Sequence, residues 1–121
     1  MNIEHLWDRY AAAWSQPEPA RADYLSAIVA DDVRYTDPET DIVGASALGD
    51  YMAAFQESVP GGHFTITTVL MHHDRSLAAW SMVASDGSVL QTGTSTAVHA
   101  TDGRLHGITG FFDPTPREVS R

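Results

Sequence analysis

The sequence predicts an α+β fold in which three N-terminal helices cover one face of a mostly antiparallel, twisted sheet. Two features predict it. Apolar residues recur at helical spacing in three stretches before Pro60. Beyond it, turn-forming residues at Asp74-Arg75, Ser85-Asp86-Gly87 and Thr101-Asp102-Gly103 divide the chain into four segments of strand length. Short consecutive turns join neighbouring strands antiparallel, and a meander of this kind needs a layer of helices over one face.

In the first helix, Ile3, Leu6, Trp7, Tyr10 and Trp14 advance by steps of three and four and form one apolar stripe. Asn2 suits its N-cap and Gln16-Pro17 ends it. After Pro17-Glu18-Pro19, the residues Tyr24, Leu25, Ile28 and Val29 give a second stripe that stops near Asp31-Asp32, where Val33 and Tyr35 begin a short alternating strand. Residues 38–45 read as a polar, acidic loop. Leu48, Tyr51, Met52, Phe55 and Val59 then define a third helix closed by Pro60-Gly61-Gly62. The four strands are expected over about 63–73, 76–84, 88–100 and 104–112, and Thr115 to Arg121 reads as a frayed tail.

A chain of 121 residues with 43% hydrophobic content fits one domain, 1–121, with its core over about 3–113. Seven basic against 16 acidic residues leave a net charge of −9, which argues against nucleic acid or an anionic membrane surface as partner. The absence of cysteine excludes disulfides, cysteine-based zinc sites and a thiol nucleophile. Apolar runs fall far short of the roughly 18 residues of a membrane span, and Met1 to Glu4 lacks a signal-like start, so a cytoplasmic protein is the simplest expectation. No cofactor and no metal are expected. His72 and His73 are adjacent on a strand and should face opposite ways, while Asp31, Asp32, Asp37, Glu39 and Asp41 lack the spacing of a calcium loop.

Thr36-Asp37-Pro38 puts one carboxylate where an extended segment has to stop, because proline cannot donate to a ladder and biases the residue before it toward extended backbone. Asp37 can thus be a base at a strand end, walled by Tyr35 and Val33 on its own side of the strand, or a turn-initiating acceptor for the loop that follows.

Three stretches, in this order and spacing, resemble the nuclear transport factor 2-like superfamily in its ketosteroid isomerase and SnoaL-like polyketide cyclase branch. They are Ala30 to Pro38, Gly44-Ala45 at the start of the third helix, and Thr101 to Leu105 leading into Thr109-Gly110-Phe111-Phe112. The resemblance covers about residues 3–113. It implies a cone-shaped, cystatin-like roll with a strongly curved sheet and a pocket for a small hydrophobic, polyketide- or steroid-like molecule. Asp37 matches the isomerases' proton-shuttling carboxylate, and Arg9-Tyr10 matches the position of their oxyanion tyrosine. Ser95 stands where they carry a protonated aspartic acid, so the full isomerase triad is absent. The expected catalytic set is therefore Asp37, Tyr10 and Ser95, for proton transfer next to a carbonyl as in an isomerase, cyclase or dehydratase.

Alternation along the sheet, with the register taken from the resemblance, adds the expected pocket wall. Gln91, Gly93, Ser95 and Ala97 share one face of the third meander strand. Trp80, Met82, Ile108 and Phe112 complete a wall with Trp7, Trp14, Tyr35 and Phe55, and His63 is expected at the mouth. One of His72 and His73 is a candidate to face the cavity as an acid or base, whereas His5, His99 and His106 read as surface. Two alternatives stand beside the enzyme. One is a non-catalytic binder of a small hydrophobic ligand; the other is an epoxide hydrolase, disfavoured because Arg34 is out of phase with Asp37. The outward residues Leu90, Thr92, Thr94, Thr96 and Val98 are too apolar to stay bare, which predicts a homodimer through the sheet.

Overall fold

In the computed structural model, which describes residues 2–114, the chain runs α1 (Ile3–Ala13), α2 (Ala20–Ile28), β1 (Val29–Asp37), β2 (Thr40–Val43), α3 (Ala45–Ser58), β3 (His63–His72), β4 (Arg75–Val83), β5 (Val89–His99) and β6 (Leu105–Phe112). The expected tail from Thr115 lies outside the described residues. The six strands form one sheet in the order β2-β1-β6-β5-β4-β3, antiparallel throughout except that β1 runs parallel to β6. The predicted α+β class and the four-strand meander are as expected.

Two boundaries differ from expectation. Residues 40–43 are not loop but a short edge strand, paired through Tyr35↔Ile42 and Asp37↔Thr40 across a turn at Pro38-Glu39. Only Ile42 of this acidic segment is an apolar residue with partial burial, so it carries no hydrophobic alternation to read. The second helix ends at Ile28, and Val29 already belongs to β1. Ile28, Val29 and Ala30 are all buried, and a run buried on every side has no periodicity to separate helix from strand.

Asn2 caps α1 by accepting the His5 N–H at 2.7 Å. Gly44 precedes α3 with φ of +105°, a backbone that side chains rarely adopt, and this makes glycine the fitting residue at that junction. Arg21 is buried between the α1–α2 connection and α3. It donates to the Gln16 and Gly49 carbonyls and pairs with Glu18 at 3.1 Å, so this charge holds the helices together. Gln56 donates to the carbonyls of Trp14 and Gln16 and fixes the end of α1.

The helices bury Leu6, Trp7, Leu25, Ile28, Leu48 and Met52 against Val33, Ala78, Ala97, Leu105 and Ile108 of the sheet. This core contains one polar chain. His99, expected at the surface, is only 8% exposed, because the inward face that carries Ser95 and Ala97 continues to it. Trp7 Nε1 donates to Ser76 Oγ (3.0 Å), Ser76 Oγ lies 2.7 Å from His99 Nε2, and His99 Nδ1 lies 2.8 Å from the Gly103 carbonyl. A carbonyl only accepts, so Nδ1 carries the proton, and Nε2 accepts from the serine. All the protons of the chain are thereby placed.

Candidate functional site

β1 and β5 flank β6, so residues at the same height on the three strands converge on one spot. Register pairs Ser95 with Gly110 and, across the parallel ladder, Thr36 with Thr109. A side chain begun at Gly110 would start 3.4 Å from Ser95 Oγ, 3.6 Å from Asp37 Cβ and 3.9 Å from the Tyr35 hydroxyl. Glycine leaves that spot open, and it forms part of a cavity of about 580 Å³. This size is ordinary for a small-molecule site.

Asp37 lines this cavity and takes the turn-initiating role anticipated for it. Its Oδ1 accepts the N–H groups of Glu39 (2.8 Å) and Thr40 (3.1 Å), the turn-initiating arrangement. Its Oδ2 accepts the hydroxyls of Tyr35 (2.7 Å) and Tyr51 (2.9 Å). Tyr35 is therefore a donor to the carboxylate rather than a plain apolar wall. Among the described residues no cationic side chain pairs with Asp37.

Tyr51 was not anticipated as a site residue. In sequence it is one more member of the α3 stripe, and nothing local marks its partner on β1. Burial raises the pKa of Tyr51, and the hydrogen bond to Asp37 raises it further. The Tyr35 phenol is likewise pushed up, first by burial and then by Tyr10 and Asp37 around it. Both remain neutral donors across the physiological range.

Tyr10, on α1, is 5% exposed, and among the described residues its hydroxyl is the buried polar side-chain atom without a hydrogen-bond partner. Burial raises its pKa, Asp37 and Tyr51 add to the rise, and the Trp14 indole beside it acts in the opposite sense. A neutral phenol bordering a cavity with nothing to receive its proton is a donor in waiting. Ser95 is buried, and its Oγ accepts Trp80 Nε1 at 3.0 Å, which leaves the serine's own proton free to be given.

The anticipated wall is present at Trp7, Trp14, Tyr35 and Phe55 from one side and at Trp80, Met82, Gln91 and Phe112 from the other. Trp80 lies over Gly93, its cross-strand partner, and any side chain at 93 would collide with that indole. Two members of the expected wall do not line the cavity. His63 is exposed, because β3 turns Phe64 and Ile66 inward and leaves residue 63 on the other face. Ile108 has the expected orientation but is packed core at 1% exposure. Leu90 and Gln91, adjacent in sequence, both reach the cavity. A register slip between Met82↔Gln91 and Val83↔Val89 breaks the alternation there. Gln91 is held at the rim by donating to the Thr92 carbonyl at 2.8 Å.

Outside the cavity, Arg34 is exposed and forms a two-point pair with Asp41 (3.1 and 2.8 Å), and among the described residues no arginine lines the cavity beside Asp37. Neither His72 nor His73 faces the cavity. β3 ends at His72, and His73 enters the turn with φ of +51°, which brings their Nδ1 atoms to 3.2 Å instead of holding the rings apart. No helix among the described residues is long and apolar enough to cross a membrane.

In sequence, residues 7–111 match the SnoaL-like domain. None of the curated proteins matches the chain. Among solved structures, it is similar to a candidate isomerase of the SnoaL-like family from Agrobacterium tumefaciens str. C58, at 25% identity and a TM-score of 0.84 over 92% of this chain and 97% of that one. A nuclear transport factor 2-like protein of unknown function from Exiguobacterium sp. 255-15 shares the fold at 20% identity and a TM-score of 0.73, over 91% of this chain and 99% of that one. A candidate SnoaL-like polyketide cyclase from Jannaschia sp. CCS1 does so at 14% identity and a TM-score of 0.72, over 92% and 84%. With the domain match spanning most of its length, the chain belongs to the SnoaL-like family, and it shares the fold of a nuclear transport factor 2-like protein.

Proposed function

We propose that the protein is a small-molecule enzyme that moves a proton at a carbon next to a carbonyl, as an isomerase, cyclase or dehydratase, on a hydrophobic polyketide- or steroid-like substrate. One observation carries the reading: Asp37 and Tyr10, whose hydroxyl is buried without a partner, line the same aromatic cavity. In this reading Asp37 takes the proton from carbon on Oδ2, and the new O–H returns its hydrogen bond to a phenol oxygen of Tyr35 or Tyr51. Tyr10 donates to the oxygen on which enolate charge develops, and Ser95 is a second donor at the open spot beside Gly110. The candidate isomerase and candidate cyclase among the structural relatives support a reaction of this type.

Deuterium exchange from solvent into a panel of enones and β-diketones tests the proposal. Replacement Asp37→Asn should slow exchange by about 10²–10⁴-fold. Tyr10→Phe should slow it by about 10²–10³-fold, as for loss of one preorganised oxyanion donor. Equal exchange by wild type and Asp37→Asn would remove the base from the scheme. A second reading, a non-catalytic binder, is favoured by the saturation of Asp37 with four hydrogen bonds. Saturable ligand binding with no exchange on any member of the panel would establish it.

A further inference from the structure

We infer that the ligand of this cavity carries a protonated amine and no acid group. The inference deepens the proposed function by naming a substrate class, and it rests on that reading only for the carbonyl that Tyr10 would meet. Its first support is the charge balance of the wall. Asp37 and Glu39 both line the cavity, whereas among the described residues no lysine, arginine or histidine does. Among the described residues neither carboxylate has an ion-pair partner. Asp37 is satisfied by four neutral donors, two phenols and two backbone N–H groups, which orient the carboxylate and leave its charge uncancelled. Asp37 is half-buried and Glu39 exposed at the rim, and the low-dielectric aromatic wall focuses their field into the cavity. An anionic ligand meets that field unfavourably and a cationic one favourably.

The second support is independent of charge. Tyr10 is nine-tenths buried and lines the same cavity with no partner for its hydroxyl, so the wall is incomplete without a ligand oxygen that accepts. The third is the character of the walls. Trp14 lies with its ring centre 5.8 Å from those of Tyr35, Tyr51 and Phe55 and 5.4 Å from that of Phe64. Clustered aromatic rings beside a carboxylate are the arrangement that attracts ammonium groups through the ring quadrupole. The phenol protons of Tyr35 and Tyr51 are spent on Asp37, so their remaining lone pairs can accept N–H donors. The occupant that answers all three is an amino ketone, with its ammonium toward Asp37 and Glu39 and its carbonyl toward Tyr10. An ammonium on the chain also makes the neighbouring C–H more acidic by induction, in the sense the proposed proton transfer needs.

The three tryptophans of the chain, Trp7, Trp14 and Trp80, all line the cavity, so their fluorescence reports its occupation directly. The test titrates wild type with phenethylammonium, with propylbenzene, which is its uncharged carbon isostere, and with phenylacetate. The expected result is saturable quenching by the ammonium at about tenfold lower concentration than by the isostere, and none by phenylacetate. The preference should shrink in Glu39→Gln, which keeps the backbone N–H that Asp37 uses, and again in Asp37→Asn. Equal affinity for ammonium and isostere, tighter binding of phenylacetate, or an ammonium preference unchanged in both variants would overturn the inference. Because the titration reads binding alone, absence of deuterium exchange leaves its outcome intact. Exchange on neutral ketones without an ammonium preference would sink this inference and spare the proposed reaction.

Discussion

Replacement of Ser76 by alanine removes a single oxygen that two buried groups depend on. Trp7 Nε1 would lose its acceptor and His99 Nε2 its donor, at sites where Trp7 is 1% and His99 8% exposed and neither reaches water easily. A buried polar group left without a partner costs about 1–3 kcal/mol, so two stranded groups cost about 2–6 kcal/mol. Removing the hydroxyl spares its own desolvation, and a net loss of about 2–4 kcal/mol is expected. For a chain of this length that corresponds to a fall in Tm of about 8–16 °C. Urea unfolding followed by far-ultraviolet circular dichroism measures it. A cycle with Trp7→Phe should return a coupling of about 1–2 kcal/mol, since the two residues share one hydrogen bond. A Ser76→Ala protein within about 0.5 kcal/mol of wild type would refute the argument, because it would mean that the three side chains do not depend on one another. Trp7 also lines the cavity, so the same variant should bind ligand more weakly.

Other outcomes follow from single features. Gly110→Ala should fold normally, since the added methyl meets its nearest atom at 3.4 Å, yet it fills the spot shared by Asp37, Ser95 and Tyr35. It should weaken ligand quenching by about tenfold, the equivalent of about 1.4 kcal/mol, and unchanged binding would move the site elsewhere. Alkaline pH should destabilise the fold. Burial, the largest cause, holds the Tyr10 and Tyr35 phenols above their ordinary value. The unfolded chain therefore releases those protons from about pH 10 upward while the folded chain keeps them. Stability is full below that pH and falls as pH rises through it, by about 1.4 kcal/mol per pH unit for each phenol. Tyr10→Phe should flatten the slope by one phenol's share in unfolding curves measured from pH 9 to 11. We further propose that a second copy covers the outer sheet face, where Phe111 is 58% exposed beside its cross-strand partner Thr94. Light scattering at micromolar concentration should then give twice 13.1 kDa, and Phe111→Glu should give the single-chain mass.

The long elements were legible because each buries one face against another layer and so imprints a period on its residues. Where burial is all-round, as at Ile28-Val29-Ala30, or nearly absent, as in Thr40–Val43, the period vanishes, and those are the two boundaries that sequence reading misplaced. The site divides in a similar way. Asp37 is marked by its own neighbours, because Pro38 ends the strand there. Tyr51 is marked by nothing nearby, since its importance lies in a hydrogen bond to a strand fourteen residues earlier, and a tyrosine in an apolar stripe looks the same with or without such a partner. His63 was misplaced for want of a register. Alternation states which residues share a face but not which face is inner, and at a strand's first residue nothing earlier in the strand settles the matter. His99 shows the reverse, because the parity that turned Ser95 inward already included it.

The turn that holds Asp37 has a consequence for how such a protein can change over generations. Two of the four donors that orient the carboxylate are main-chain N–H groups, and one of these belongs to Glu39, whose side chain lines the cavity. A main-chain donor is present for every residue type except proline. The polarity of the rim can thus drift from acidic to neutral or basic by substitution at position 39, while the acid at position 37 keeps its place. A lineage on this scaffold could acquire new ligands one residue at a time without first dismantling its chemistry.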